Sequence, residues 1–199
     1  MSSLEVILVR HAEPVAVGTP GVADDDRPLT EQGAAAAARL ADDLVRPVPV
    51  AIYSSPYRRA METVAPIAAR IGLVIEPIDD LRERRLSLVP HAEWRESLAR
   101  SWADPDFSLP GAESGRMALE RMDRAMAGIR ARHAAGGRVI AGSHGNLISL
   151  LLQRFDPRIG LGSHLAMPMP AVFCLRHDGQ GWRLDEDDAW TSTVSETIA

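Results

Sequence analysis

The chain has 199 residues, 46% of them hydrophobic, and carries 22 Lys and Arg against 27 Asp and Glu for a formal net charge of −5. This length and apolar content build one domain with a substantial core, which excludes wholesale disorder. The mild acidity argues against a broad nucleic-acid or anionic-membrane surface, although a small anionic substrate is compatible, because a pocket can be basic inside an acidic protein.

A lone cysteine, Cys174, excludes an internal disulfide framework. Its apolar neighbours, Ala171-Val172-Phe173 and Leu175, read as a strand with a buried structural thiol rather than a nucleophile. No stretch approaches the roughly 18 apolar residues of a membrane span. The N-terminus, Met1 to Glu5, shows neither a basic n-region nor a signal-peptide cleavage pattern, so a soluble, reducing, cytoplasmic setting is expected.

In chain order, Val6-Ile7-Leu8-Val9 reads as a strand buried on both faces, ending abruptly at Arg10-His11. Residues 14–28, with Pro14, Gly18, Pro20, Gly21, Asp24 to Asp26 and Pro28, form a loop. Thr30 caps an alanine-rich helix over Ala34 to Leu44. Val50 to Tyr53 is a second buried strand, followed by Ser54-Ser55-Pro56 and a helix from about Tyr57 to Arg70 that stops at Gly72. Pro66 predicts a kink or early break in it. Leu73 to Ile75 reads as a short strand, and residues 78–112 are irregular, with helical pieces near His91 to Trp102.

Ser114 begins a long helix whose apolar stripe is Met117 or Leu119, Met122, Met126 and Ile129, ending at Gly136-Gly137. Arg138 to Gly142 is a strand, Ser143-His144-Gly145 sits at its end, and Asn146 to Phe155 is the next helix. Ala171 to Leu175 and Gly181 to Leu184 form a hairpin around Asp178-Gly179. The tail, residues 185–199, is acidic and is expected to be mobile or laid on the surface, with Trp190 as an anchor. Strand and helix alternate without a linker or repeat, so residues 1–199 are read as one α/β domain with a mainly parallel sheet.

Three polar clusters occupy equivalent strand ends: Arg10-His11, Ser54 to Arg59, and Ser143-His144-Gly145. The carboxyl ends of parallel strands face one crevice, so two histidines and at least two arginines converge there. Arginine forks and helix N-termini suit a tetrahedral dianion. Arg58 and Arg59 point about 100° apart on a helix, so one of them faces the crevice, and spacing does not choose between them. The six histidines, His11, His91, His133, His144, His164 and His177, show no zinc spacing, and no glycine-rich P-loop or dinucleotide fingerprint follows the first strand. His133 and His177 are expected at the surface.

Leu8-Val9-Arg10-His11-Ala12-Glu13, Ser54-Ser55-Pro56-Tyr57-Arg58-Arg59-Ala60-Met61-Glu62-Thr63 and Ser143-His144-Gly145 resemble motifs of the histidine phosphatase superfamily, also called phosphoglycerate mutase-like. Asp26 to Gly33 is similar to that family's lead-in to its first helix. Leu81-Arg82-Glu83 is similar to the segment carrying its acid/base carboxylate, and Gly111-Ala112-Glu113-Ser114 to its "GES" helix start with one extra alanine. The motifs run in the family's order over roughly residues 4–150.

The resemblance implies a three-layer α/β sandwich of phosphoglycerate mutase-like fold. It implies a cofactor-independent, histidine acid-type phosphatase that needs no metal and acts on a small phosphorylated substrate. His11 would be the nucleophile, Arg10, Arg58 and His144 would cradle the phosphoryl group, and Glu83 would be the proton donor. The sequence departs from the family at Ala12, which replaces a glycine, at Val15 to Gly18, which lack an asparagine, and after Glu83, where Arg84-Arg85-Leu86-Ser87 replace Phe-Gly and Trp-Glu-Gly patterns. Glu93 and Glu113 are the fallback acids. Arg82, Arg84 and Arg85 either hold Glu83 ionised or recognise a second anionic group, and Glu13 either orients Arg10-His11 or faces solvent. Mutase activity and a non-catalytic phospho-ligand-binding module are the competing functions, and the sequence leaves the oligomeric state open.

Overall fold

The run Val6 to Val9 is apolar without alternation because its strand is covered on both sides. In a computed structural model describing residues 3–87 and 93–185, β1 (Leu4–Arg10) is the fourth strand of a six-stranded sheet ordered β3-β2-β4-β1-β5-β6. β2 (Ala51–Ser54), β3 (Ile75–Pro77) and β4 (Gly137–Ser143) continue the parallel part. β5 (Ala171–His177) and β6 (Trp182–Leu184) close that edge as the expected antiparallel hairpin.

Side chains alternate across the sheet. Val6 and Leu8 of β1, Val139 and Ala141 of β4 and Phe173 of β5 join one core with Met122, Met126 and Ile129. Those three belong to α4 (Gly115–Arg132). Leu147, Ile148 and Leu151 of α5 (Gly145–Leu152) complete this core. Ile7, Val9, Ile52 and Ile140 join the other with α1 (Glu31–Leu44) and α2 (Arg58–Ile71). The layers are helix, sheet, helix, the three-layer α/β sandwich.

Local chemistry sets the element ends. The Thr30 hydroxyl accepts from Gly33 N–H at 2.9 Å, and Ser114 caps α4 by accepting from Met117 N–H at 3.2 Å. Gly72 ends α2 with φ +72°, the left-handed C-cap that favours glycine. Pro66 does not break α2, which runs on to Ile71. Ser54 and Ser55 do not cap it, because the cap residue is Tyr57; the Ser55 hydroxyl instead accepts from Tyr57 N–H at 3.2 Å.

Other expectations shift. Met117 is exposed, and Ala118, Met122, Ala125, Met126 and Ile129 line the buried face of α4. Cys174 is half-buried rather than buried. His177 is buried rather than superficial, with its ring edge-on to Trp182 at 5.0 Å. His133 is only partly exposed and shares a 2.9 Å hydrogen bond with the Tyr53 hydroxyl. The irregular segment carries a short 3-10 turn (Asp79–Leu81) and α3 (Trp94–Ala103), and α6 (Leu161–Ala166) precedes β5. The expectations on His91, Trp190 and the tail beyond Asp185 lie outside the described residues.

Candidate active site

β1 and β4 pair with Arg10 opposite Ser143, which places the charged ends of the two strands side by side. His11 N–H donates to the Ser143 carbonyl at 3.1 Å and continues this ladder one residue further. The two imidazoles that follow the strands meet edge-on, 5.1 Å between ring centres. His11 is 7% exposed and His144 fully buried.

The His11 ring is oriented by its own backbone: Nδ1 donates to the Ala12 carbonyl at 2.8 Å, which leaves Nε2 as the free lone pair. Burial, opposed by that hydrogen bond and reinforced by Arg59, Arg10 and Arg27, brings the His11 pKa down to about 3. Burial also holds His144 well below the ordinary histidine value, with His11 and Arg59 adding to the effect. Both rings are therefore neutral near pH 7. His144 Nε2 lies 2.8 Å from the Ser55 hydroxyl. Ala12 is fully buried, its N–H donates to Thr63 Oγ1 at 2.9 Å, and no non-glycine residue among those described has a positive φ. An alanine therefore fits where the family has glycine.

Arg10 lies against the start of α5. A Cβ on Gly145 would come within 2.9 Å of Arg10 Nε, so this glycine makes room for the guanidinium. The Arg10 Nη1 donates to the carbonyls of Met167 and Pro168, which anchor it from the segment after α6. Glu83 completes the ring of groups. Its carboxylate accepts from the N–H groups of Arg84 at 2.8 Å and of Asn146 and Leu147, both at 3.2 Å. The last two open α5, so the carboxylate rests on a helix N-terminus.

Arg58 and Arg59 separate as helix geometry requires. Arg58 is half exposed and paired with Glu62 at 2.7 Å and Asp26 at 3.7 Å, so the structure places it at the rim, outside the histidine cluster. Arg59 is 2% exposed, lies over the Tyr57 ring at 4.9 Å and acts electrostatically on both His11 and His144. The Tyr57 ring in turn meets His144 edge-on at 5.1 Å. The Arg59 fork is held by Asp24, through its carbonyl at 2.5 Å and its carboxylate at 3.5 Å. The same carboxylate takes Arg27 Nε at 2.9 Å.

The structure brings Arg10, His11, Glu83 and His144 together and supplies Arg59 where Arg58 was expected. Glu113 is committed elsewhere, gripped by the buried Arg121 at 2.6 and 2.8 Å, and Glu93 is exposed at the cap of α3. Arg84 tethers the Glu113 carbonyl at 3.0 Å and the Ser101 hydroxyl at 3.2 Å. Glu13 braces α1 by accepting from the Thr30 hydroxyl at 3.1 Å. Asp24 and Arg27 were missed because loop positions carry no periodicity, and Ser55 was read only as part of the Ser54 to Arg59 cluster, without its contact to His144. His164 was missed too; it stacks near Trp102 at 5.7 Å and feels Glu83 and Arg10.

Among the described residues, the buried side-chain nitrogens without a hydrogen-bond partner include Arg10 Nε, Arg59 Nε and His144 Nδ1, all from this cluster. Buried polar groups left unmatched are costly in a folded protein, and a ligand rich in acceptor oxygens would satisfy the two arginine donors of this cluster.

The sequence matches the histidine phosphatase superfamily (branch 1) over residues 6–187, and the chain belongs to that superfamily. It is 31% identical to the metal-independent phosphoserine phosphatase of Arabidopsis thaliana over 196 residues, covering 91% of this chain and 79% of that protein. It is 29% identical over 192 residues to phosphoglycerate mutase-like protein 4 of the same plant, covering 90% and 83%. A mycobacterial glucosyl-3-phosphoglycerate phosphatase solved with inorganic phosphate superposes with a TM-score of 0.74 at 25% identity, covering 94% of this chain and 97% of that one.

Proposed function

We propose that the protein is a phosphatase that hydrolyses small phosphomonoesters through a phosphohistidine on His11. The observation that carries this reading is the convergence of Arg10 Nε, Arg59 Nε and His144 Nδ1, buried and unpartnered, around an imidazole whose Nε2 is free. A phosphoryl group in flight spreads negative charge over its equatorial oxygens, and fixed donors in a dry site stabilise that charge without reorganising.

In the first step His11 Nε2 attacks phosphorus, the P–N bond forms and the ester P–O bond breaks opposite it. Glu83, carrying a proton, delivers it to the departing oxygen. In the second step water attacks phosphorus, the P–N bond breaks, and the water proton passes to the Glu83 carboxylate. Inorganic phosphate leaves and Glu83 is again charged with the proton that the next turnover uses. The low His11 pKa keeps the nucleophile unprotonated throughout the physiological range.

The test is hydrolysis of p-nitrophenyl phosphate in the presence of a chelator, with His11→Ala alongside. Turnover by the wild type alone, inhibited by vanadate as a pentacoordinate mimic, is expected. Phosphate moved between the hydroxyls of a phosphoglycerate with little release would select the mutase instead. Tight binding of phosphate esters without turnover would select a binding module.

A further inference from the structure

Ser55 follows β2 and His144 follows β4, and both are fully buried. The Ser55 backbone is pinned on either side: its N–H donates to the Gly142 carbonyl at 2.8 Å, and its carbonyl accepts from the Ser54 hydroxyl at 2.9 Å. Its side chain is a short bridge. The hydroxyl oxygen accepts from Tyr57 N–H at 3.2 Å and stands 2.8 Å from His144 Nε2. A serine hydroxyl has one hydrogen to give, and a neutral imidazole has one N–H and one lone pair. Among the described residues, His144 Nε2 is the one acceptor within reach of the Ser55 hydrogen. If Nε2 carried the ring proton, the Ser55 oxygen would take two donors and its own hydrogen would be buried without a partner, a costly arrangement. With Nε2 as the acceptor, every group of the bridge is matched. The ring proton then stands on Nδ1, the buried nitrogen without a hydrogen-bond partner.

We infer that Ser55 is a positioning residue of the phosphoryl cradle: by donating to Nε2 it fixes the Nδ1–H tautomer of His144, so that an uncharged ring offers the phosphoryl oxygens a donor instead of a lone pair. The opposite tautomer would turn a lone pair toward a dianion. Burial, with His11 and Arg59 adding to it, keeps this ring neutral, so the tautomer alone decides whether the contact attracts or repels. The carbonyl of Gly142 and the N–H of Tyr57 hold the bridge from two sides, which lets one hydroxyl set the tautomer without reorganising during the reaction. The inference rests on the phosphatase reading and adds to it a residue that acts through His144.

The experiment joins NMR of the imidazole nitrogens to the kinetics of Ser55→Ala. In the phosphate-free wild type the His144 ring, assigned by the signals that His144→Gln removes, is expected to show Nδ1 protonated and Nε2 bare. In Ser55→Ala the proton should move to Nε2. With it, kcat/KM for p-nitrophenyl phosphate and the affinity for inorganic phosphate should fall by about 10–100-fold, as when a metal-bound histidine loses the partner that fixes its tautomer. In a His144→Gln background Ser55→Ala should cost almost nothing more, because residues that act as one unit are not additive. A wild-type ring protonated on Nε2 or on both nitrogens would overturn the proposal, and that spectrum decides even where Ser55→Ala does not fold. So would an Nδ1–H ring that survives Ser55→Ala, or an equal loss from Ser55→Ala in both backgrounds. Absence of p-nitrophenyl phosphate turnover would sink the phosphatase reading separately; the spectra and calorimetric phosphate affinities then decide the role of Ser55 by the same outcomes.

Discussion

Arg58 and Arg59 differ by one position and by their whole environment, and the chemistry assigned to the site depends on which of them faces inward. Arg59 is buried beside both histidines, whereas Arg58 is spent on Glu62 and Asp26 at the rim. Arg59→Ala is therefore expected to lower kcat/KM for p-nitrophenyl phosphate by about 10²–10³-fold, the worth of one preorganised transition-state donor, and by far more than Arg58→Ala. The reverse order in steady-state kinetics would return the phosphate contact to Arg58. Glu83 makes a second test, because proton donation matters in proportion to how poor the leaving group is. Glu83→Gln should reduce kcat on alkyl phosphates by about 10²–10⁴-fold and reduce it much less on p-nitrophenyl phosphate, whose phenolate leaves readily. Equal losses on both would show that Glu83 does not carry the proton. The meeting of His11 and His144 at neighbouring strand ends was legible in sequence because a buried strand ran straight into each pair of polar residues. Asp24 and Arg27 were not, since a loop's contacts depend on where the fold carries it.

The helices show what periodicity could and could not decide. Arg59, Ala60, Thr63, Val64 and Ile67 form the buried stripe of α2, while Arg58 and Glu62 sit one turn apart on its outer face. In the structure the stripe that runs back from Ile67 through Thr63 carries Arg59, a choice that spacing had left open while the resemblance pointed to Arg58. The same geometry explains Met117, which lies off the Ala118-Met122-Met126-Ile129 face of α4. Pro66 was overweighted because burial of a helix face outweighs one lost backbone hydrogen bond. At the start of α1 the packing is tight enough to test directly: a Cβ on Gly33 would lie 2.1 Å from the Glu13 carbonyl oxygen. Gly33→Ala is expected to cost about 1–3 kcal/mol in urea unfolding, despite alanine's better helix propensity, because backbone must move. An unchanged or raised urea midpoint would contradict that packing.

The whole molecule separates its charge in space. The net charge of −5 comes from surface carboxylates, while Arg10, Arg27 and Arg59 hold positive charge around two neutral histidines. That arrangement has a consequence for stability. The unfolded chain binds a proton on His11 below about pH 6.5, whereas the folded chain refuses it until about pH 3. Stability from this group is thus full above pH 6.5 and is lost as the pH falls. Between pH 7 and 5 the loss is about 2 kcal/mol, so wild type should lose that much more than His11→Gln over the same interval. Equal losses in denaturant titrations would mean that His11 titrates normally in the fold. The mainly parallel sheet and the meeting of polar clusters at its strand ends followed from the alternation of buried strands and helices, whereas the strand order and the loop residues around the site, such as Asp24 and Arg27, have no such pattern to announce them. The central claim, a phosphoryl group carried on His11, is tested most directly by acid-sparing quench of the enzyme during turnover of a phosphomonoester and mapping of the modified peptide by mass spectrometry. The expected result is an acid-labile, base-stable phosphate on the His11 imidazole that is absent from His11→Ala. Phosphate on another residue, or sustained turnover by His11→Ala, would contradict it.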